Sequence, residues 1–230
     1  MSIAENIGKI RERMTQAAKK AGRDPGSVRL VAVSKTKPAA AVAEAFGCGQ
    51  QIFGENYVQE LVAKQAELPK EISWHFIGNL QSNKVRQIAG LVQLIHSVDR
   101  LSLAREIDRQ WGTLGKVCDI LVQVNISREE TKGGTSSGEL LGLLGEVAQL
   151  PHLRVVGLMT MPPFFDDPEG ARPYFRALRA LSLEVEQAGI PGVEMRELSM
   201  GMSGDFEAAI EEGATLVRVG SALFGEREYH

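Results

Sequence analysis

Cysteine is scarce in this sequence, and its two copies lie far apart. Cys48 and Cys118 form neither a CxxC pair nor a spacing typical of metal ligands. We therefore expect no disulfide framework and no metal site, and the scarcity favours a reducing compartment.

Long apolar runs and an excess of basic residues are also absent. No run of 18 apolar residues occurs, so no membrane span is expected. The first residues are charged and lack the apolar segment of a secretory signal, which makes the cytoplasm the expected location. The formal net charge of -3 does not suit a nucleic-acid binder, although it leaves a local basic patch open.

What the chain does have is an alternating pattern of apolar and helical segments. Its 230 residues are 43% hydrophobic, which is enough for one sizeable core. Ile3, Ile7, Ile10 and Met14 recur at helical spacing and predict an opening helix. The predicted strands are 28–34, 51–53, 73–77, 91–96, 119–125, 153–160, 197–199 and 216–219, and the predicted helices are 38–48, 57–68, 82–89, 101–111, 137–149, 171–188 and 205–212.

This order predicts the fold class. Strands rich in Val, Ile and Leu without polar alternation indicate burial on both faces, and the repeated strand-then-helix order indicates a parallel sheet. Eight such units predict an α/β fold: a single (β/α)8 TIM-type barrel over residues 1–230, with an extra amino-terminal helix. An open doubly wound sheet with some strands misassigned is the alternative.

Active sites of such barrels lie at the carboxyl ends of the strands, where Lys35 is the first polar candidate. If Lys35 continues the alternation of Val31 and Val33, it faces the barrel mouth. Desolvation there would favour the neutral amine, which is the nucleophile that a Schiff base with an aldehyde requires. The alternatives are a solvated loop lysine, or Lys37 in the same role.

Two other strands carry polar groups with more than one interpretation. Asn56 follows the second predicted strand and either donates to a ligand oxygen or caps the next helix. His75 lies in the third strand and is either a site residue or a core histidine with its hydrogen bonds satisfied.

The turns after the seventh and eighth predicted strands are rich in small residues. Ser199, Met200 and Gly201 belong to the first turn, and Gly220 and Ser221 to the second. Backbone N–H groups exposed in such turns can hold an anion, and phosphate sites in these barrels are often built here. Ordinary strand-to-helix turns are the alternative.

Arg218 lies two residues before Gly220 and therefore shares its orientation. A buried arginine needs an acceptor, and a ring nitrogen would serve. Because arginine stays protonated, it would keep a pyridine nitrogen unprotonated and limit carbanion chemistry. A buried ion pair with a nearby acid, such as Glu197, is the alternative.

Six segments spread along the chain resemble the pyridoxal-phosphate homeostasis protein family. They are VAVSKTKP (31–38), FGENYVQE (53–60), WHFIGNLQSNK (74–84), GLMTM (157–161), ELSMGMSGD (197–205) and VRVGSALFG (217–225). The resemblance implies a barrel of the alanine racemase N-terminal type that binds pyridoxal 5'-phosphate (PLP). It also implies roles for single residues: an internal aldimine on Lys35, Arg218 facing the pyridine nitrogen, phosphate turns at Ser199, Met200, Gly201, Gly220 and Ser221, and Asn56 and His75 lining the ring.

The resemblance further implies a carrier or buffer of PLP in vitamin B6 homeostasis, not an enzyme. We expect a monomer that binds PLP and has apo-enzymes as transient acceptors. We expect it to bind neither nucleic acid nor a membrane. The alternative is an amino-acid racemase. In the racemases that resemble this barrel, the second acid/base is a tyrosine on an added C-terminal β domain, which we do not expect here.

No tyrosine of this chain is an obvious second base. Tyr57 and Tyr174 lie in predicted helices, and Tyr229 lies one residue from the end. We therefore expect negligible racemisation. A third interpretation, a purely structural or protein-interaction domain, predicts no cofactor on Lys35.

Overall fold

The computed structural model describes residues 2–129 and 133–225. The strands are β1 (Arg29–Val33), β2 (Ile52–Glu55), β3 (Ser73–Phe76), β4 (Leu94–Val98), β5 (Cys118–Gln123), β6 (Leu153–Met159), β7 (Val193–Ser199) and β8 (Leu216–Val219). The α-helices are α1 (Ile3–Lys20), α2 (Ala39–Gly47), α3 (Val58–Glu67), α4 (Val85–Ile88), α5 (Leu101–Thr113), α6 (Leu140–Val147), α7 (Arg172–Ala188), α8 (Phe206–Glu211) and α9 (Ser221–Phe224).

The eight strands form a closed parallel barrel in chain order. Each strand pairs with the next, and β8 returns to pair with β1, where Arg218 lies opposite Val31. This closure confirms the predicted (β/α)8 barrel and excludes the open doubly wound sheet. Because all strands run the same way, their carboxyl ends meet at one rim of the barrel.

The predicted opening helix is confirmed as α1, which packs against α8 and α9. It begins with a capping box, in which Ser2 and Glu5 each bond the other's backbone N–H. Its buried face includes Ile7, Ile10 and Met14, the residues whose spacing predicted it.

Apolar side chains fill both sides of the barrel wall, as expected for parallel strands. The larger cluster lies between the strands and the surrounding helices. The smaller one comprises Val31, Leu94, Leu121, Val156, Met159 and Leu216. Leu94 and Leu216 of the smaller cluster lie on β4 and β8, two residues before His96 and Arg218.

Most predicted segments match the structure to within three residues at either end, and two differ by more or change type. The helix expected over 82–89 is a short 3-10 helix, Ser82–Lys84, followed by the single turn of α4. The seventh strand begins at Val193 rather than 197. The prediction was too short because Glu194 and Arg196, which pair on the outside at 2.6 Å, interrupt the apolar run. In the described part of the chain, no helix has the length and apolarity that crossing a bilayer requires.

Candidate functional site

The predicted site residues lie near one rim of the barrel or inside it. Lys35 lies in the turn after β1, Asn56 directly follows β2, and Gly220 directly follows β8. Ser199 is the last residue of β7, and Arg218 lies within β8. The fold therefore brings together residues that are widely separated in the sequence.

Lys35 lies just beyond the end of β1. The strand ends at Val33, so the strand alternation proposed for Lys35 stops before it. The amide of Ser34 still donates to Gly54 O on β2 at 3.1 Å, and the amide of Lys37 donates back to Ser34 O at 3.0 Å. Lys35 is thus a central residue of a tight turn, and its side chain is half-buried.

A chain of four polar side chains crosses the interior of the barrel. Arg218 Nη1 donates to Ser199 Oγ at 2.6 Å. Ser199 Oγ lies 2.8 Å from His96 Nδ1, and His96 Nε2 lies 2.9 Å from His75 Nδ1. Because β4 and β7 are not neighbours, the contact between His96 and Ser199 must pass through the barrel interior.

The chemistry of these groups sets the direction of the hydrogen bonds. Arginine can only donate, so the Ser199 hydroxyl accepts from Arg218 and can direct its own proton to His96 Nδ1. His96 then donates from Nε2 to His75 Nδ1. Burial lowers the pKa of His75 to about 3 and lowers the pKa of His96 well below its usual value. Both imidazoles are therefore neutral at physiological pH, as this direction requires.

Arg218 remains a buried cation in this chain. Burial lowers its pKa to about 10, which still leaves the guanidinium charged at neutral pH. Its Nη2 donates to Thr160 O at 3.0 Å. The alternative ion pair with Glu197 is wrong, because Glu197 pairs with Arg29.

Asn56 presents a buried acceptor to the rim. The residue that caps α3 is Tyr57, so the alternative role of Asn56 as a helix cap is wrong. Asn56 Oδ1 is buried and has no hydrogen-bond partner among the residues that the structure describes. Its backbone packs so tightly against Gly78 that a Cβ there would lie 2.2 Å from Asn56 O. The tight packing fixes the position of Asn56.

The two small-residue turns contact each other. Gly201 has φ +91° and no room for a Cβ, which would lie 2.6 Å from Ala209 Cβ. Ser203, a residue that sequence reasoning did not single out, accepts from the amides of Gly220 and Ala222 at 3.3 and 3.4 Å. Ser221, the residue after Gly220, is exposed, and Met200 is buried.

A surface groove of about 470 Å³ lies at the amino-terminal end of the barrel, beside Arg29 and Ile52. The polar groups described above converge at the opposite end, which we therefore take as the candidate site. In residues 2–129 and 133–225, no group of three His, Cys, Asp or Glu side chains is placed to hold a metal ion.

Comparison with known proteins agrees with the resemblance of the six segments. Residues 5–228 match the family described as alanine racemase, N-terminal domain. A pyridoxal phosphate homeostasis protein of Aquifex aeolicus is 46% identical over 230 residues, covering 100% of both chains. Another, of Pseudomonas aeruginosa, is 48% identical and covers 99% of this chain and 97% of its own length.

Among solved structures, PipY of Synechococcus elongatus with PLP bound is 40% identical, with a TM-score of 0.85. The match covers 97% of this chain and 100% of that one. The relatives' names describe homeostasis rather than a catalysed reaction. The chain belongs to the pyridoxal phosphate homeostasis proteins, within the alanine racemase N-terminal domain family.

Proposed function

We propose that the chain binds PLP at the carboxyl end of the barrel, holds it through Lys35, and acts in PLP homeostasis. The observation that carries this proposal is the buried cation of Arg218 on β8, the strand next to the one that leads into the Lys35 turn. Such a pair suits a ligand with both an acceptor ring nitrogen and an aldehyde. The relatives' names and the PLP in PipY support it.

Two further features fit PLP. The buried Asn56 Oδ1 has no partner in the described part of the protein, and a ligand hydroxyl would satisfy it. The amides of Gly220 and Ala222 make long bonds to Ser203 Oγ. A phosphate oxygen would replace these with shorter, charge-assisted bonds. We propose the turns at Ser199–Gly201 and Gly220–Ser221 as the phosphate side of the site.

Lys35 and Arg218 would have different roles toward bound PLP. When bound, PLP supplies an aldehyde that can pass between amines. Lys35 contributes the amine that holds it. Arg218 keeps its charge and would donate toward the ring nitrogen, which would keep a proton off that nitrogen. Since an unprotonated ring is a weak electron sink, this arrangement favours holding the cofactor over carbanion chemistry.

We also propose that the chain carries PLP without catalysing a reaction on it. Racemisation needs another acid/base opposite the lysine. Tyr57 is 54% exposed and precedes α3 rather than lying in it, so it lacks the desolvated setting that tunes a base. The Tyr174 ring packs against Phe165 at 5.8 Å. Tyr229 lies outside the described residues.

We further propose that His75 supports the ring side of the site through His96, and that apo-enzymes accept the cofactor from a monomeric, cytoplasmic carrier. Cys48 and Cys118 are both free thiols, which supports a reducing compartment. Sedimentation of the purified protein tests the monomer directly.

The visible absorbance of the purified protein with added PLP tests the central proposal. Wild type and Lys37→Ala should give a yellow species that borohydride fixes on Lys35, as mass spectrometry would show. Lys35→Ala should give neither colour nor adduct. A wild type that forms no adduct would overturn the proposal. Alanine racemisation near the typical enzyme rate of about 10 per second would overturn carriage without catalysis.

A further inference from the structure

The turn that carries Lys35 has an unfavourable backbone conformation. Thr36, its next residue, has φ +63°. A β-branched side chain is a rare occupant of this left-handed region, where glycine is favoured. Such a conformation persists only where the surroundings fix it, and it occurs most often at functional sites.

Helix α3 fixes this turn on both sides of Lys35. Lys64 Nζ donates to Ser34 O, the residue before Lys35, at 2.7 Å. The amide of Thr36, the residue after Lys35, donates to Glu60 Oε2 at 2.7 Å. Glu60 and Lys64 lie one helical turn apart and form an ion pair at 3.0 Å. One face of α3 therefore determines where the turn lies.

A buried carboxylate lies beneath the same turn. Glu55 Oε1 accepts from Lys64 Nζ at 2.6 Å and from Ser34 Oγ at 2.7 Å. Glu55 is fully buried, and its other oxygen has no partner within residues 2–129 and 133–225. Burial raises the pKa of Glu55, and the Lys64 ammonium opposes that rise. A buried ion pair is a poor device for stability alone, because desolvation costs offset its attraction.

We propose that Lys64 and Glu60 are positioning residues that hold the Lys35 turn in its strained shape before PLP arrives. The proposal rests on Lys35 being the attachment point, as the proposed function has it. A turn fixed in advance presents the amine without an ordering cost at the moment of binding. Glu55 anchors the Lys64 end of this clamp.

The rate of covalent PLP attachment, followed by absorbance, tests the role of each charge. Glu60→Gln and Lys64→Met should each slow attachment roughly tenfold, the size expected when a charge-assisted hydrogen bond loses its charge or is removed. The matched controls Glu67→Gln and Lys70→Met, at exposed positions on or near the same helix, should attach PLP at the wild-type rate.

Thr36→Gly separates positioning from a general structural role. Glycine adopts φ +63° without strain. The loss caused by Glu60→Gln should therefore shrink severalfold when Thr36 is also replaced by glycine, as a double-mutant cycle would measure. The pH profile of the bound absorbance should shift in Glu60→Gln and return toward wild type in the double variant.

Each outcome decides a separate claim. If wild type forms no adduct on Lys35, the proposed function fails and this inference falls with it. If wild type forms the adduct and Glu60→Gln matches Glu67→Gln in rate and pH profile, only the inference is overturned. A loss from Glu60→Gln that is equal with and without Thr36→Gly also overturns it. Glu60 is partly exposed, so its variant decides the matter even if Lys64→Met fails to fold.

Discussion

Ser199 accepts a 2.6 Å hydrogen bond from the guanidinium of Arg218, and both side chains are buried inside the barrel. The bond joins β7 to β8, whose backbone ladder pairs Ser199 with Leu216. Ser199 also contacts His96, so one hydroxyl connects the buried cation to the histidines across the barrel.

Removing this hydroxyl should destabilise the protein. Ser199→Ala leaves donors and acceptors on Arg218 and His96 unsatisfied, at a cost of about 1–3 kcal/mol. Ser182 is equally buried, but its hydroxyl bonds the carbonyl of Arg179 within α7. Ser182→Ala should therefore cost less. Urea unfolding measures the loss of stability in both variants. Equal losses would contradict a special contribution from the hydrogen bonds that join Arg218, Ser199 and His96.

Acid should destabilise the protein partly through His75. The pKa of His75 is depressed to about 3 in the folded protein. Between about pH 3 and pH 6.5, the unfolded chain therefore binds a proton that the folded protein does not. Stability therefore falls as the pH falls through 6.5. From about pH 6.5 to about pH 5, wild type should lose about 1–2 kcal/mol more than His75→Gln. Parallel profiles in urea unfolding would rule out this contribution.

Asn56→Leu should affect stability and binding in opposite ways. The substitution removes a buried acceptor that has no partner in the described part of the chain, so the protein without PLP should keep or slightly raise its melting temperature. If the acceptor serves PLP, affinity should drop by about tenfold, the effect of one lost hydrogen bond. Unchanged affinity by equilibrium titration would remove Asn56 from the site.

Gly201 should tolerate no side chain. Gly201→Ala forces φ +91° on alanine and a contact of 2.6 Å with Ala209, and should cost roughly 1–3 kcal/mol or more. Gly204 lies in the same loop, where an added Cβ would meet open space, so Gly204→Ala should stay near wild type in stability. Similar melting temperatures for the two variants would refute the steric argument.

The barrel could be predicted from the sequence because its signal is local. Most strands are short apolar runs, and the eighth was predicted at 216–219, the bounds that the structure has. The seventh was predicted too short because Glu194 and Arg196 face outward and hide the strand. The residue pattern left the roles of Lys35 and Arg218 open between alternatives, and the resemblance favoured one of them. Both roles stay predictions that the experiments above test.

The polar contacts could not be predicted, because they depend on the closed barrel. His96 and Ser199 are 103 residues apart, and no local pattern joins them. Lys64 belongs to a helix with many polar residues, where a lysine normally faces water. Only the packing of α3 against β2 brings it to Glu55. Ser203 could have been suspected from its place in ELSMGMSGD, since a serine beside glycines often bonds backbone amides.

The bond between His96 and Ser199 also has a mechanical meaning. Neighbour-to-neighbour ladders resist the separation of adjacent strands, but they do little to prevent a ring from flattening. The hydrogen bond between His96 and Ser199 joins β4 and β7 across the barrel cross-section. Flattening the barrel would stretch or compress this hydrogen bond, so the cross-section should resist distortion at the level where Arg218 lies.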